Sequence, residues 1–194
     1  MNNFPVYQTA LFLHILGALG FFIAIAILYA SVLGVRRAQT VGSIKLWTGA
    51  AASATRLIFP IAGLVILVAG LYMVVTVWGA RAQWAGVALI AFLLMMIVSA
   101  LLQGRRMTIL GRQVADQPDN APVTSALWTQ AHDPVTWIGI NSSAAFAIGI
   151  VYLMTLKPDL VGSLIALLIA LVVGLVFGFL TQGRPAAAPA LARE

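Results

Sequence analysis

Charged residues divide this chain into five long uncharged stretches, at 1–35, 57–80, 82–104, 134–156 and 160–183. Each meets the requirement of about 20 mainly apolar residues for one crossing of a bilayer. Inside hydrocarbon the backbone has to satisfy its own hydrogen bonds, so stretches of this kind form helices. The expected fold is therefore an all-α membrane protein, a bundle of five transmembrane helices. Composition agrees, with 62 % hydrophobic residues, 8 % charged and a mean hydropathy of +1.03. A soluble domain carries roughly a quarter charged residues, so that class is excluded. The opening Met1-Asn2-Asn3-Phe4-Pro5 lacks a basic segment, and the apolar run behind it is too long for a cleaved signal. Residues 1–183 read as one transmembrane domain, and the Pro- and Ala-rich 184–194 as a disordered tail.

The bases set the expected orientation. Arg36, Arg37, Lys45, Arg56, Arg105, Arg106, Arg112, Arg184 and Arg193 fall on one side of a five-crossing path, and only Arg81 and Lys157 on the other. The positive-inside rule then places the N-terminus outside and the C-terminus in the cytoplasm of a bacterial inner membrane. The net charge of +6 is accounted for in this way, without a nucleic-acid partner. The expected partners are the lipid bilayer and other membrane subunits or a second copy of the chain.

Several chemistries lack raw material. There is no Cys, which removes disulfides, thiolate zinc and iron–sulfur clusters. The acids Asp116, Asp119, Asp133, Asp159 and Glu194 all lie outside the apolar runs, whereas proton-driven transporters carry an acid within the membrane. No Walker loop, HExxH or GxSxG occurs.

The connections carry local signals. Gly79-Ala80-Arg81 allows only a tight turn between the second and third helices, and Pro158 ends the fourth. The segment from Arg36 to Arg56 is expected to form a helical extension partly in the membrane interface, with Ser43 as N-cap. The segment from Arg105 to Asp133 holds a turn at Gln117–Pro122 and a short stretch around Leu127 and Trp128. Asp133 followed by Pro134 marks the start of the fourth spanning helix.

Few intramembrane residues could carry chemistry. His14 shares a helical face with Ala10, Gly17 and Ala18, a face smooth enough for another helix to approach closely. It reads as a neutral packing residue with one hydrogen bond, or alternatively as a ligand for haem or copper. His132 sits near the opposite membrane face, roughly 20 Å away, so one haem iron cannot take both imidazoles. A His–Met site through Met95, or through Met73 or Met154, is the remaining arrangement. Asn141-Ser142-Ser143 is the most polar run within an apolar stretch and reads as structural hydrogen bonding, with a substrate notch as the sharper option. Pro60 is expected to kink the second helix and free a carbonyl, which Arg56 or Asn141 could meet.

Leu13-His14-Ile15-Leu16-Gly17-Ala18, Arg56 with Pro60, Gly70-Leu71-Tyr72 and Met154-Thr155-Leu156-Lys157-Pro158 together resemble a family of uncharacterised bacterial integral membrane proteins. That family is distantly similar to copper-resistance D proteins and to the HemJ-type protoporphyrinogen oxidases. The resemblance implies a helical membrane fold and, at His14, haem or copper handling. The residues themselves favour a protein without catalysis of its own, an accessory subunit or assembly factor. Haem or copper handling at His14 is the alternative, and a small-solute transporter the second.

Overall fold

The computed structural model describes residues 4–79 and 82–182. Ala80 and Arg81 of the expected tight turn, and the tail expected to be disordered, lie outside the described residues. The elements in order are α1 (Phe4–Arg36), α2 (Val41–Ser53), a π-helical turn (Ala54–Ile58), α3 (Phe59–Met73), a second π turn (Val74–Trp78), α4 (Gln83–Ser99), a third π turn (Ala100–Gly104), α5 (Arg105–Val114), α6 (Ser125–Ala131), α7 (Pro134–Leu156) and α8 (Leu160–Thr181). Five helices are long and apolar enough to cross a membrane, and among the described residues no strand occurs beyond an isolated Thr40–Pro122 bridge. The protein is an all-α, multi-pass bundle.

Several of the spanning helices are longer than a bilayer requires, α1 among them with 33 residues. α8 has 22 residues, about 33 Å at 1.5 Å per residue, close to the roughly 30 Å hydrocarbon core. The second spanning helix runs unbroken for 38 residues from Val41 to Trp78, and the third for 32 from Gln83 to Val114. At the end opposite the bases these helices finish together: Lys157 lies 4.4 Å from the Trp78 ring and 5.9 Å from that of Trp84. The surplus length therefore projects at the basic end, where α2, α5 and α6 form a collar.

The collar departs from the sequence expectation. The first extension is helical, as expected, and runs on without a break into the second spanning helix. Its N-cap is Thr40 rather than Ser43: the Ser43 amide donates to Thr40 Oγ1 at 3.3 Å. The other free N–H groups of that first turn are met by the 117–123 segment. Val41 donates to the Ala121 carbonyl at 3.0 Å and Gly42 to that of Asp119 at 2.9 Å. Lys45 clamps the same segment, reaching the Gln117 carbonyl at 2.7 Å and the Asp119 carboxylate at 2.8 Å. These bonds supply the helix-end partners that neither Ser43 nor the sequence periodicity announces. Asp133 does cap α7, accepting from the Thr136 amide at 2.9 Å, and it also pairs with Arg106 at 2.7 Å.

Spanning helices in lipid gain little from apolar burial against each other, so their contacts rest on close packing of small residues. α7 and α8 show this best. A Cβ added at Gly174 would stand 2.6 Å from Ser142 Cα, and one at Gly178 would stand 2.9 Å from Ile138 Cα. Backbone lies on the other side in both cases, so nothing can swing away. α1 meets α3 similarly, with Gly17 against Ile66 and Gly20 against Ala62. Phe21 closes the middle of the bundle, 5.0 Å from the Phe59 ring and 5.1 Å from that of Phe92. We expect Gly174→Ala to cost about 1–3 kcal/mol by overpacking. Gly86→Ala, where a Cβ meets nothing within 4 Å, should be neutral or stabilising by up to about 1 kcal/mol. Unfolding in mixed detergent micelles measures both.

Candidate functional site

A cavity of about 110 Å³ lies just inside the basic end of the bundle. Phe21, Ile25 and Leu28 of α1 form its floor, and Ile140 and Ser143 of α7 contribute a third wall. Thr55, Phe59 and Pro60 stand on one side, and Met95, Met96, Ser99, Ala100, Gln103 and Gly104 on the other. Of the lining residues, Pro60 and Ala100 are exposed while the α1 residues are buried, so the cavity opens sideways between the second and third helices, towards lipid.

Both flanking helices carry a π turn at the cavity. Such turns are single-turn insertions that recur at functional sites. In the second helix the turn answers Pro60. Proline has no N–H to donate and clashes with the preceding turn; the π turn hands the Phe59 amide to the Ala54 carbonyl just before it. Thr55 Oγ1 turns back to the Ala51 carbonyl. The expected rescue by Arg56 does not occur: Arg56 is exposed and makes no hydrogen bond among the described residues. Across the cavity the turn at Ala100–Gly104 places Gly104 so that a Cβ there would lie 3.7 Å from Thr55 Cγ2.

The cavity's polar edge is Ser99, Gln103 and Ser143. The two serine hydroxyls are 2.8 Å apart, and Gln103 Nε2 donates to Ser143 Oγ at 3.0 Å. Gly139 leaves room for that amide, since a Cβ there would meet Nε2 at 2.9 Å. Gln103 is only 1 % exposed, yet its Oε1 has no partner. The set holds no imidazole or carboxylate, so it offers hydrogen bonding rather than nucleophilic catalysis.

The residues singled out from sequence are dispersed. Met95 lines the cavity together with Pro60, but His14 does not. His14 Nδ1 lies 3.0 Å from the Ile66 carbonyl. A carbonyl only accepts, so the ring proton sits on Nδ1 and Nε2 is the nitrogen left over. The ring packs on Gly70, where a Cβ would come within 3.0 Å of it. Asn141 does not reach the second helix near Pro60. Its Nδ2 donates to the Trp137 carbonyl at 2.8 Å, and its Oδ1 accepts from the Tyr29 hydroxyl of α1 at 3.3 Å. α1, not the second helix, packs against this part of α7, and Tyr29 has the reach. Ser142 turns back onto the Ile138 carbonyl at 2.8 Å. His132 bonds the Trp128 carbonyl at 3.0 Å and lies on the Trp128 ring.

Haem or copper handling needs more than one donor here. His14 could present Nε2 alone, with Met95 in a cavity it does not share and His132 at the basic end. Among the described residues no three His, Asp or Glu side chains gather. Close contact of α1 with α3 at Gly17 and Gly70 leaves no slot for a porphyrin between them. The residues do not fit a haem held by two ligands within this bundle.

Gln103, Ser99 and Tyr29 are the site residues that sequence reasoning missed. Gln103 stands near the end of an apolar run beside two arginines, where it reads as the run's polar margin. The signal present was Ser99 four residues earlier, on the same helical face.

Fold and site define a polytopic helical membrane protein with a largely apolar cleft, edged by three polar side chains, between its second and third helices. The chain matches no family model, no curated protein and no solved structure.

Asn141→Leu leaves the Tyr29 hydroxyl without its partner and should destabilise the bundle by about 0.5–1.5 kcal/mol. Tyr29→Phe in the Asn141→Leu background should then add less than it does alone, and a double-mutant cycle in detergent reads that coupling. Additive losses would show that the 3.3 Å contact contributes nothing.

Proposed function

We propose that this is a non-catalytic protein of the bacterial inner membrane, an accessory subunit or assembly factor that docks a partner on its basic collar. The observation carrying this reading is the collar itself. Helices two and three extend well beyond the bilayer, and Lys45 and the 117–123 segment fix their ends. A pre-formed helical platform binds without the cost of ordering a loop. Its surface offers exposed Arg37, Arg112 and Leu46, the last 67 % exposed. Intramembrane polar groups add support: Asn141 and Ser142 are spent on bonds within the bundle, and one ring nitrogen of His14 is engaged by the Ile66 carbonyl.

The orientation belongs to the same proposal, with collar and C-terminus in the cytoplasm and N-terminus outside, on the balance of bases. The chain has no Cys, so single cysteines report cleanly. Ser125→Cys on the collar side should react with a membrane-impermeant maleimide only after lysis of spheroplasts. Gln83→Cys, at the opposite end, should react in intact ones. The reverse pattern inverts the topology.

For the docking role, native electrophoresis of mildly solubilised membranes should show the protein in a complex with a stoichiometric second subunit. Leu46→Glu should release it from that complex with its melting temperature unchanged. A protein that migrates alone in wild-type membranes, with every membrane complex intact in cells that lack it, would overturn the role.

A further inference from the structure

We propose that the cleft between the second and third helices binds a membrane-dissolved amphiphile bearing a hydroxyl group, which donates its hydrogen bond to Gln103. This does not depend on the accessory role. It stands on three observations: an unpartnered acceptor on Gln103, a cavity that Gln103 lines, and an opening towards lipid; Oε1 itself is sealed, so the ligand meets it as the Gln103 side chain turns towards the cavity.

Gln103 Oε1 is buried without a partner, whereas buried polar atoms are almost always hydrogen-bonded. An orphaned polar group of this kind costs most where the surroundings are apolar. Turning the amide does not remove the problem, because Ser143 engages one end and the other end is then left. Ser99 does not supply it: its hydroxyl lies against Ser143 Oγ and forms no hydrogen bond with Gln103 Oε1. The missing partner has to come from outside the chain, and with Nε2 engaged by Ser143 it has to be a donor to Oε1.

The cavity shows what body that donor carries. Its walls are Phe21, Ile25, Phe59, Met95, Met96 and Ile140, so an apolar group fits and an ion does not. Its mouth lies at Pro60 and Ala100, on the lipid face, so the ligand arrives from the bilayer rather than from water. At about 110 Å³ it takes the hydroxyl-bearing end of a lipid-like molecule, with the tail left in the bilayer. Gln103 is two residues from Arg105, which places the hydroxyl just below the headgroups, where the polar end of a single-hydroxyl amphiphile resides. The two π turns give the site its shape: the first accommodates Pro60 at the mouth, and the second includes Gln103 itself.

A glycerolipid or a long-chain isoprenoid alcohol presents this chemistry. The test uses the full-length protein in phosphatidylcholine nanodiscs. Binding of 1,2-dioctanoylglycerol and of farnesol is measured, each beside its O-methyl ether, which keeps the body and loses the donor. For at least one pair the hydroxyl form should bind about tenfold tighter than its ether, and the tighter pair identifies the source. Gln103→Met should bring that hydroxyl form to the affinity of its ether. Ala100→Trp, which fills the mouth from an exposed position, should abolish binding of both while the melting temperature holds. Equal binding of hydroxyl and ether by the wild-type protein would overturn the proposal, as a trapped water would then suffice for Gln103. So would the absence of saturable binding, or unchanged binding in Ala100→Trp. Should Gln103→Met not fold, the wild-type comparison and Ala100→Trp decide by themselves.

Discussion

The structure depends on how closely its helices approach. In lipid, apolar side chains are as well solvated outside the bundle as inside it, so the usual driving force for burying Leu or Val is missing. Dispersion contacts at short range take its place, and they need residues small enough to let two backbones meet. Gly174 and Gly178 of α8 provide this against Ser142 and Ile138, and Gly17 of α1 against Ile66. The large side chains are free to face outward, as Leu164, Leu168, Phe177 and Leu180 do along α8. A soluble bundle would be built the other way round.

Where the chain departs from regular helix it has to make up the lost backbone bonds within the membrane. Pro60 removes one donor, and the π turn ahead of it reassigns the neighbouring amide. The same wide turn recurs in the third helix at Gln103. The two irregular turns approach each other at Thr55 and Gly104, and the cleft lies beside that contact, between Pro60 and Ala100. The polar cluster there joins the third helix to α7, through Ser99 and Gln103 on Ser143.

At the basic end the physics changes within a few residues. Water and headgroups can satisfy polar groups there, so the collar uses ordinary capping and ion pairs: Thr40, Asp133, Lys45 with Asp119, and Arg106 with Asp133. Arg36 joins the two regimes. It reaches the Gln182 carbonyl at the end of α8 and lies 4.7 Å over the Trp137 ring. In this way α8, whose packing is otherwise almost all with α7, is tied back to α1.

Charge spacing and apolar length alone determined five membrane helices, because a chain in hydrocarbon has no other way to satisfy its backbone. Local chemistry determined the Asp133-Pro134 start and the stop before Pro158, since a cap and a missing N–H act within a few residues. The smooth face around His14, and a hydrogen bond from it, were also legible as a helical stripe. Partners across helices were not. Asn141 reached Tyr29 instead of the Pro60 region, Thr40 rather than Ser43 opened α2, and Gln103 found Ser143 on another helix. Each of these depends on which helix lies beside which and at what height, and an all-round apolar surface carries almost no information about either. Only the packing of glycines between specific helices decided the neighbours, and with them where a buried amide would be left with one bond unmade.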